Sequence, residues 1–483
     1  MTASSPWEWS AEEIKRVGYQ VVDLVAEHLT QLPSEPVFQP FPDELRQQWL
    51  ATPVPREGRP ATEILEQFAR EIEPYPFGNG HPRFAGWVNP PPVILSIFAE
   101  SLAAAMNPSV AGGNHASVHL EQQVVNWLKE IAGFPLAAGG LLVSGGSLAN
   151  LTGLAVARFA KAEPDVRQEG LQPSTAKLIV YVGEGGHSCL TKAVELLGIG
   201  RQNIRVIPDD AHFRLDLAAL ESAIQRDLEA GHRPMAVAAS AGTVNMGAID
   251  SFPEIADLCR RYDLWFHIDG AYGTPAILSD RYGPALASIN LADSLALDPH
   301  KWLYVPVEAG LVLVKDAELM RAAFSLVPPY LAMDEAAQRV SGPRWFSEYG
   351  VQQTRGFRAL KIWMALSYHG LKGYKAAIEK DITLAESLAD QVRASSDFEL
   401  LEPRSLSIVC FRYKPAGVGE GQLNALNQKL LLELQLSGRF FLSGTTIRGN
   451  FWLRACIVNP RMSQDDISPL LEILRDLGKR MTV

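Results

Sequence analysis

Lys301 stands in SLALDPHKWLYVP (294–306), directly after a short apolar run and between His300 and Trp302. An amine held in apolar surroundings there is expected to have a lowered pKa and to act as a nucleophile, the condition for capturing an aldehyde as a Schiff base. Asp269 closes the apolar run LWFHID (264–269), where a carboxylate is desolvated unless it has a cationic or proton-bearing partner. Gly145, Gly146 and Ser147 follow GLLVS (140–144) and precede a helical pattern. Free backbone N–H groups, a hydroxyl and a helix N-terminus then meet at one point, which suits a phosphate. His187 lies in the Gly-rich GEGGHS (183–188), again after an apolar run, AKLIVYV. Each feature alone has an ordinary structural explanation; what matters is whether the chain brings them together.

The elements that carry them have one pattern. Strand-like runs at 140–144, 176–182, 203–208, 235–242, 264–269, 294–297 and 310–314 are mostly separated by helical stretches such as LANLTGLAVARFAKA. Continuously apolar strands alternating with helices predict an α/β fold with a parallel or mixed sheet covered on both faces. Ligands of such sheets bind at the carboxyl ends of the strands, where all four features fall. Upstream, amphipathic helices are expected at about 10–30 and 61–72, joined by a Pro-rich connector with a short helical break. That segment has too little apolar surface to fold alone and is expected to wrap a partner surface. From about Asp381 the pattern is a small α+β unit, with strands in LSIVCFRY, FFLSGT and FWLRACIV. The expected organisation is 1–89 (N-terminal helical segment), 90–380 (large domain) and 381–483 (small C-terminal domain).

Taken jointly, the four features fit pyridoxal 5'-phosphate: its aldehyde for Lys301, its phosphate for the Ser147 cradle, its protonated ring nitrogen for Asp269 and its flat ring for His187. Composition agrees with a globular enzyme, since 47% of the 483 residues are hydrophobic. With 44 basic against 54 acidic residues and no basic run, nucleic acid is not an expected partner. No segment approaches the roughly 18 uninterrupted apolar residues of a membrane span, and no basic, apolar leader opens the sequence. Four cysteines without C-x-x-C spacing read as buried thiols rather than disulfides or metal ligands. A cytoplasmic protein without a metal site is expected.

The motifs also resemble a family. HPRFAGWVNP (81–90), VSGGSLANLTGL (143–154), GHSCLTKAVELLGIG (186–200), GTVNMGAID (242–250), HIDGAYG (267–273), DPHKW (298–302) and TRGFRALKIWMALSYHG (354–370) resemble, in order and spacing, the group II pyridoxal-phosphate-dependent amino acid decarboxylases. The pattern is nearest to the aromatic-L-amino-acid decarboxylases. The resemblance implies fold type I, the aspartate aminotransferase-like architecture, with a central, mostly parallel seven-stranded sheet, and an obligate homodimer. It further implies that Lys301 carries the cofactor, Asp269 pairs with the pyridine nitrogen and His187 stacks on the ring. Gly146, Ser147, Asp298 and His300 would surround the phosphate, and Thr243 would sit near the ring oxygen or the substrate carboxylate. Two positions depart from several relatives: Asp298 replaces an Asn, and Val244 replaces a second Thr. Tyr330, in PPYL of the loop 326–345, matches the tyrosine that returns a proton to Cα, together with His187. A phenylalanine there goes with oxidative deamination to an aldehyde, so Tyr330 implies simple decarboxylation to an amine. Phe84, Trp87 and Val88 would line the side-chain pocket as an apolar wall without a cation, which favours an aromatic L-amino acid over glutamate.

Overall fold

All seven apolar runs become strands of one sheet in the computed structural model, which describes residues 7–78, 80–162, 166–172, 176–326 and 342–481. They are β1 (Gly139–Val143), β2 (Leu178–Gly183), β3 (Ile204–Ile207), β4 (Arg233–Ser240), β5 (Trp265–Asp269), β6 (Ser294–Leu297) and β7 (Gly310–Val314). Their order across the sheet is β1-β7-β6-β5-β4-β2-β3. β2 to β6 pair in parallel. β7 runs antiparallel to both β6 and β1, so β1 points the same way as the parallel set. Six carboxyl ends therefore gather along one edge. β5, β6 and β7 are buried at every residue, which is why they read as unbroken apolar runs rather than alternating ones.

Helices cover both faces, and several are capped by a side chain at their first turn. The helix Gly146–Lys161 buries Ala149, Asn150, Gly153, Leu154 and Ala157, the three-and-four spacing of a helix lying on a sheet. Asp216 and Asp316 accept backbone N–H bonds at the starts of Leu217–Glu229 and Ala317–Phe324. The small sheet is antiparallel, in the order β10-β11-β9-β8, with β8 (Phe398–Leu400), β9 (Ile408–Tyr413), β10 (Ser443–Ile447) and β11 (Asn450–Cys456). It has its own apolar core, separate from that of the large sheet. One long helix, Arg358–Ala394, links the two layers, breaks at Gly370 (φ 60°) and runs through position 380.

Upstream lie three helices, Ala11–Gln31, Asp43–Ala51 and Ala61–Glu71. The first opens with a capping box between Ser10 and Glu13 and buries none of its residues. Its apolar side and that of the third helix line an open apolar groove of about 680 Å³ that includes Val21, Leu24, Val25 and Phe68. Among the described residues, no helix is long and apolar enough to cross a membrane.

Candidate active site

A cavity of about 580 Å³ opens at the gathered strand ends, within the size of small-molecule sites. Gly146 and Ser147 after β1, His187 after β2, Asp269 at the end of β5, and Asp298, His300 and Lys301 after β6 all line it. At the cradle, the N–H groups of Leu148 and Ala149 return to the Gly145 carbonyl; those of Gly146 and Ser147 precede the first helical acceptor and face the cavity end of the helix. Gly146 must be glycine, because a Cβ would stand 2.7 Å from Asp298 Oδ2 and 3.0 Å from Ala271 Cβ.

Lys301 is held by its neighbours. Its Nζ lies 3.0 Å from Asp298 Oδ2, its side chain is 24% exposed, and it lines the cavity. Trp302 stacks on Tyr272 at 5.0 Å and donates through its indole N–H to Asp381 at 2.9 Å, while the Tyr304 hydroxyl donates to the same oxygen at 2.8 Å. The loop that presents the lysine is thus pinned on both sides of its backbone. The expected lowering of the Lys301 pKa is not what results. Burial does push it down, but the carboxylates of Asp298 and Asp269, with the hydrogen bond to Asp298, outweigh burial and leave the amine raised.

The other polar groups are equally constrained. The Cys189 N–H donates to His187 Nδ1 at 3.1 Å, so the ring proton sits on Nε2; burial lowers the pKa of this imidazole and keeps it neutral. His300 donates from Nδ1 to the Ala309 carbonyl at 2.7 Å, leaving Nε2 at 3.9 Å from Asp298. Asp269 accepts from the Ala271 N–H at 3.2 Å, and the second oxygen of Asp298, Oδ1, is buried without a partner. An amine, the Asp269 carboxylate, a neutral imidazole and a helix N-terminus around one cavity suit the aldehyde, ring nitrogen, ring face and phosphate of pyridoxal 5'-phosphate, so the residues fit the group.

Not every expected residue lines the cavity. Trp87 and Val88 do, but Phe84 does not: it is 2% exposed and stacks on Phe441 at 5.0 Å, behind the wall. The segment around it is tied to the small domain through Ala85 N–H to Phe441 O and Cys456 N–H to Ala85 O. Trp87, 43% exposed, stacks on Phe77 at 5.0 Å. Thr243 lies behind the surface that Val244 and Asn245 present; its hydroxyl accepts from Ala248 N–H at 3.0 Å and closes that turn. Tyr330 lies outside the described residues.

One lining residue escaped the sequence reading. Arg454, on β11, donates to the carbonyls of Asn245 (3.3 Å) and Trp87 (3.1 Å) and to Ser443 Oγ (3.3 Å). Its Nη2 is buried with no partner. The wall is therefore not free of cations as expected. The visible signal was an arginine inside an apolar strand, FWLRACIV, where a charge is rarely buried without a task.

The fold and the site together define a pyridoxal-phosphate-dependent enzyme of fold type I. The family model for the pyridoxal-dependent decarboxylase conserved domain matches residues 42–414. The chain is 35% identical over 477 residues to an aromatic-L-amino-acid decarboxylase of Bacillus atrophaeus, covering 98% of this chain and 97% of that one. An acidic amino acid decarboxylase of Homo sapiens is 29% identical over 461 residues, covering 93% and 87%. A crystal structure of the Oryza sativa enzyme TDC with pyridoxal phosphate and tryptamine superposes with a TM-score of 0.91 at 25% identity, covering 99% of both chains. The protein belongs to the pyridoxal-dependent decarboxylase family and is a pyridoxal-phosphate-dependent carboxy-lyase acting on an amino acid.

Proposed function

We propose that the substrate is an aromatic L-amino acid, released as its amine and CO2, and that Lys301, Asp269, His187 and Tyr330 carry the reaction. The observation that carries this reading is the convergence on one cavity of the Lys301 amine, the Asp269 carboxylate and the Gly146–Ser147 helix terminus. When bound, pyridoxal 5'-phosphate supplies the aldehyde that takes up the amino group and the ring that accepts the electrons of the breaking carbon–carbon bond. Asp269 would hold a proton on the ring nitrogen, so that those electrons would meet a cation. His187, neutral and with its proton on Nε2, would pack against the ring. Gly146, Ser147 and His300 would hold the phosphate, and Lys301, paired with Asp298, would keep that carboxylate from opposing it. Tyr330, with His187, would return a proton to Cα, and Lys301 would then release the amine. Thr243 fixes the turn that presents Val244 to the substrate.

The aromatic assignment is supported by the wall of Trp87, Val88 and Val244. Arg454 favours a second reading, an acidic side chain, because its unpartnered Nη2 suits a distal carboxylate. It is poorly suited to the leaving carboxylate, since holding that charge would stabilise the ground state over the transition state. A panel of L-amino acids with amine and CO2 detection decides between them. Phenylalanine, tyrosine or tryptophan should be turned over with the highest kcat/KM; a preference for glutamate, aspartate or cysteine sulfinate would transfer the role to Arg454. Release of ammonia and peroxide in place of the amine would mark the oxidative reaction instead. In the same preparation, Lys301→Ala should form no covalent cofactor adduct on borohydride reduction, and an adduct that persists would remove Lys301 from its role.

We also read residues 1–89 as a clasp for a second copy of the chain, with 90–380 and 381–483 as the large and small domains. The uncovered groove of the N-terminal helices supports the homodimer. All four cysteines are buried free thiols, in keeping with a reducing cytoplasm.

A further inference from the structure

His267 lies on β5 two residues before Asp269, so both side chains are on one face of the strand. It is fully buried and does not itself line the cavity, yet both ring nitrogens are engaged. Nε2 lies 2.6 Å from Asn150 Oδ1 and Nδ1 lies 2.7 Å from Ser294 Oγ. The Asn150 amide donates on to the Gly146 carbonyl at 2.9 Å and to Cys189 Sγ at 3.4 Å. Trp265 donates through its indole N–H to Ser294 Oγ at 2.8 Å.

Only one arrangement of protons satisfies this chain. The Asn150 NH2 faces Gly146, so its oxygen faces the ring and His267 donates from Nε2. Nδ1 then accepts from the Ser294 hydroxyl, whose oxygen accepts from Trp265. The ring is neutral, in agreement with burial, which drives its pKa down to about 4. The helix has made room for it: a Cβ on Gly153 would meet the imidazole at 2.9 Å and Ser294 Oγ at 3.2 Å.

The two ends of this network are the two ends of the site. Asn150 grips the carbonyl of Gly146, the residue that opens the cradle, and His267 is two residues along the same strand from Asp269. We infer that His267 is the positioning residue that fixes the distance between the phosphate cradle and the ring-nitrogen carboxylate, so that both anchors engage one rigid cofactor at once. This rests on the assignment of Asp269 and Gly146–Ser147 proposed above. A ligand with two anchors gains from their fixed spacing; a ligand with one does not.

The test compares pyridoxal 5'-phosphate, pyridoxal and inorganic phosphate binding to the cofactor-stripped full chain, followed by tryptophan fluorescence. Both aldehydes meet Lys301 alike, so the ratio of their dissociation constants reads the two-anchor gain. Hydrogen-bond partners behind metal ligands are worth about 10–100-fold in affinity, and the ratio should fall about tenfold or more in His267→Phe. Pyridoxal alone and phosphate alone should bind as they do to the parent chain. Asn150→Ala cuts the same network while leaving the ring in place, should give the same result, and carries the measurement if His267→Phe does not fold. A ratio that stays at the parent value, or a parallel loss for all three ligands, overturns the inference. Asp269→Asn and Ser147→Ala separate the two levels. If Ser147→Ala lowers the ratio and Asp269→Asn weakens both aldehydes while the His267 and Asn150 variants leave the ratio at the parent value, only the positioning role falls; if Ser147→Ala leaves the ratio unchanged or Asp269→Asn weakens neither aldehyde, the assignment of the anchors falls and the inference with it.

Discussion

Asp298 and Lys301 form a buried pair whose balance sets when the amine can react. Burial favours the neutral amine, and the carboxylate overrides it. In Asp298→Asn the larger part of the override is removed while the shape is kept and Asp269 remains, so the pKa of the Lys301 amine should fall. An opposing charge at this range is worth about 1–3 pH units, and the pH profile for cofactor capture, followed by its visible band, should move to lower pH by about that amount. An unmoved profile would mean that Asp298 does not govern the lysine. At this scale the sequence was informative where chemistry coincides with a strand end, as at Asp269 and Lys301. It was uninformative where side-chain direction decides, as at Phe84, which turns toward Phe441. Arg454 was hidden because two of its partners, Trp87 and Asn245, come from segments far away in the sequence.

The loop after β6 is an element hung from another. Asp381, on the helix Arg358–Ala394, accepts from Trp302, Tyr304 and the Asn459 N–H, and burial raises its pKa to about 7 despite those bonds. Between the ordinary carboxylate range and about pH 7 the folded state therefore holds a proton that the unfolded chain has released. That contribution is present at low pH and is lost as pH rises, by at most about 1.4 kcal/mol per unit. Asp381→Asn should flatten this part of the stability profile, measured as the denaturation midpoint between pH 4.5 and 7.5. An equal slope in both proteins would refute the assignment. Most large-sheet strands were readable because they are buried and largely apolar, β3 with its exposed Val206 being the exception. β8 was not, since three residues, FEL, have no pattern to read, and FFLSGT was displaced because Phe440 and Phe441 pack as core before β10 begins at Ser443.

For the whole molecule, the N-terminal helices leave Val21, Phe68 and their neighbours around an open apolar groove, a surface that water should not meet. Val25→Asp together with Leu29→Asp should convert a dimer into a monomer in sedimentation velocity and reduce turnover by about tenfold or more, at the scale of a misplaced site. A double variant that sediments like the parent would discard the clasp. The first and third helices were legible in the sequence from their amphipathic pattern. The position of β1 was not, because nothing local to Gly139–Val143 announces which strand it will join. That position orders events during synthesis. β1 is made first, yet among the described residues its sole neighbour in the sheet is β7, which leaves the ribosome some 170 residues later, or about 9–34 s at ordinary elongation rates. The cradle strand must wait unpaired for that interval, so a nascent chain truncated before Gly310 holds the lysine but has no sheet edge on which to seat the phosphate.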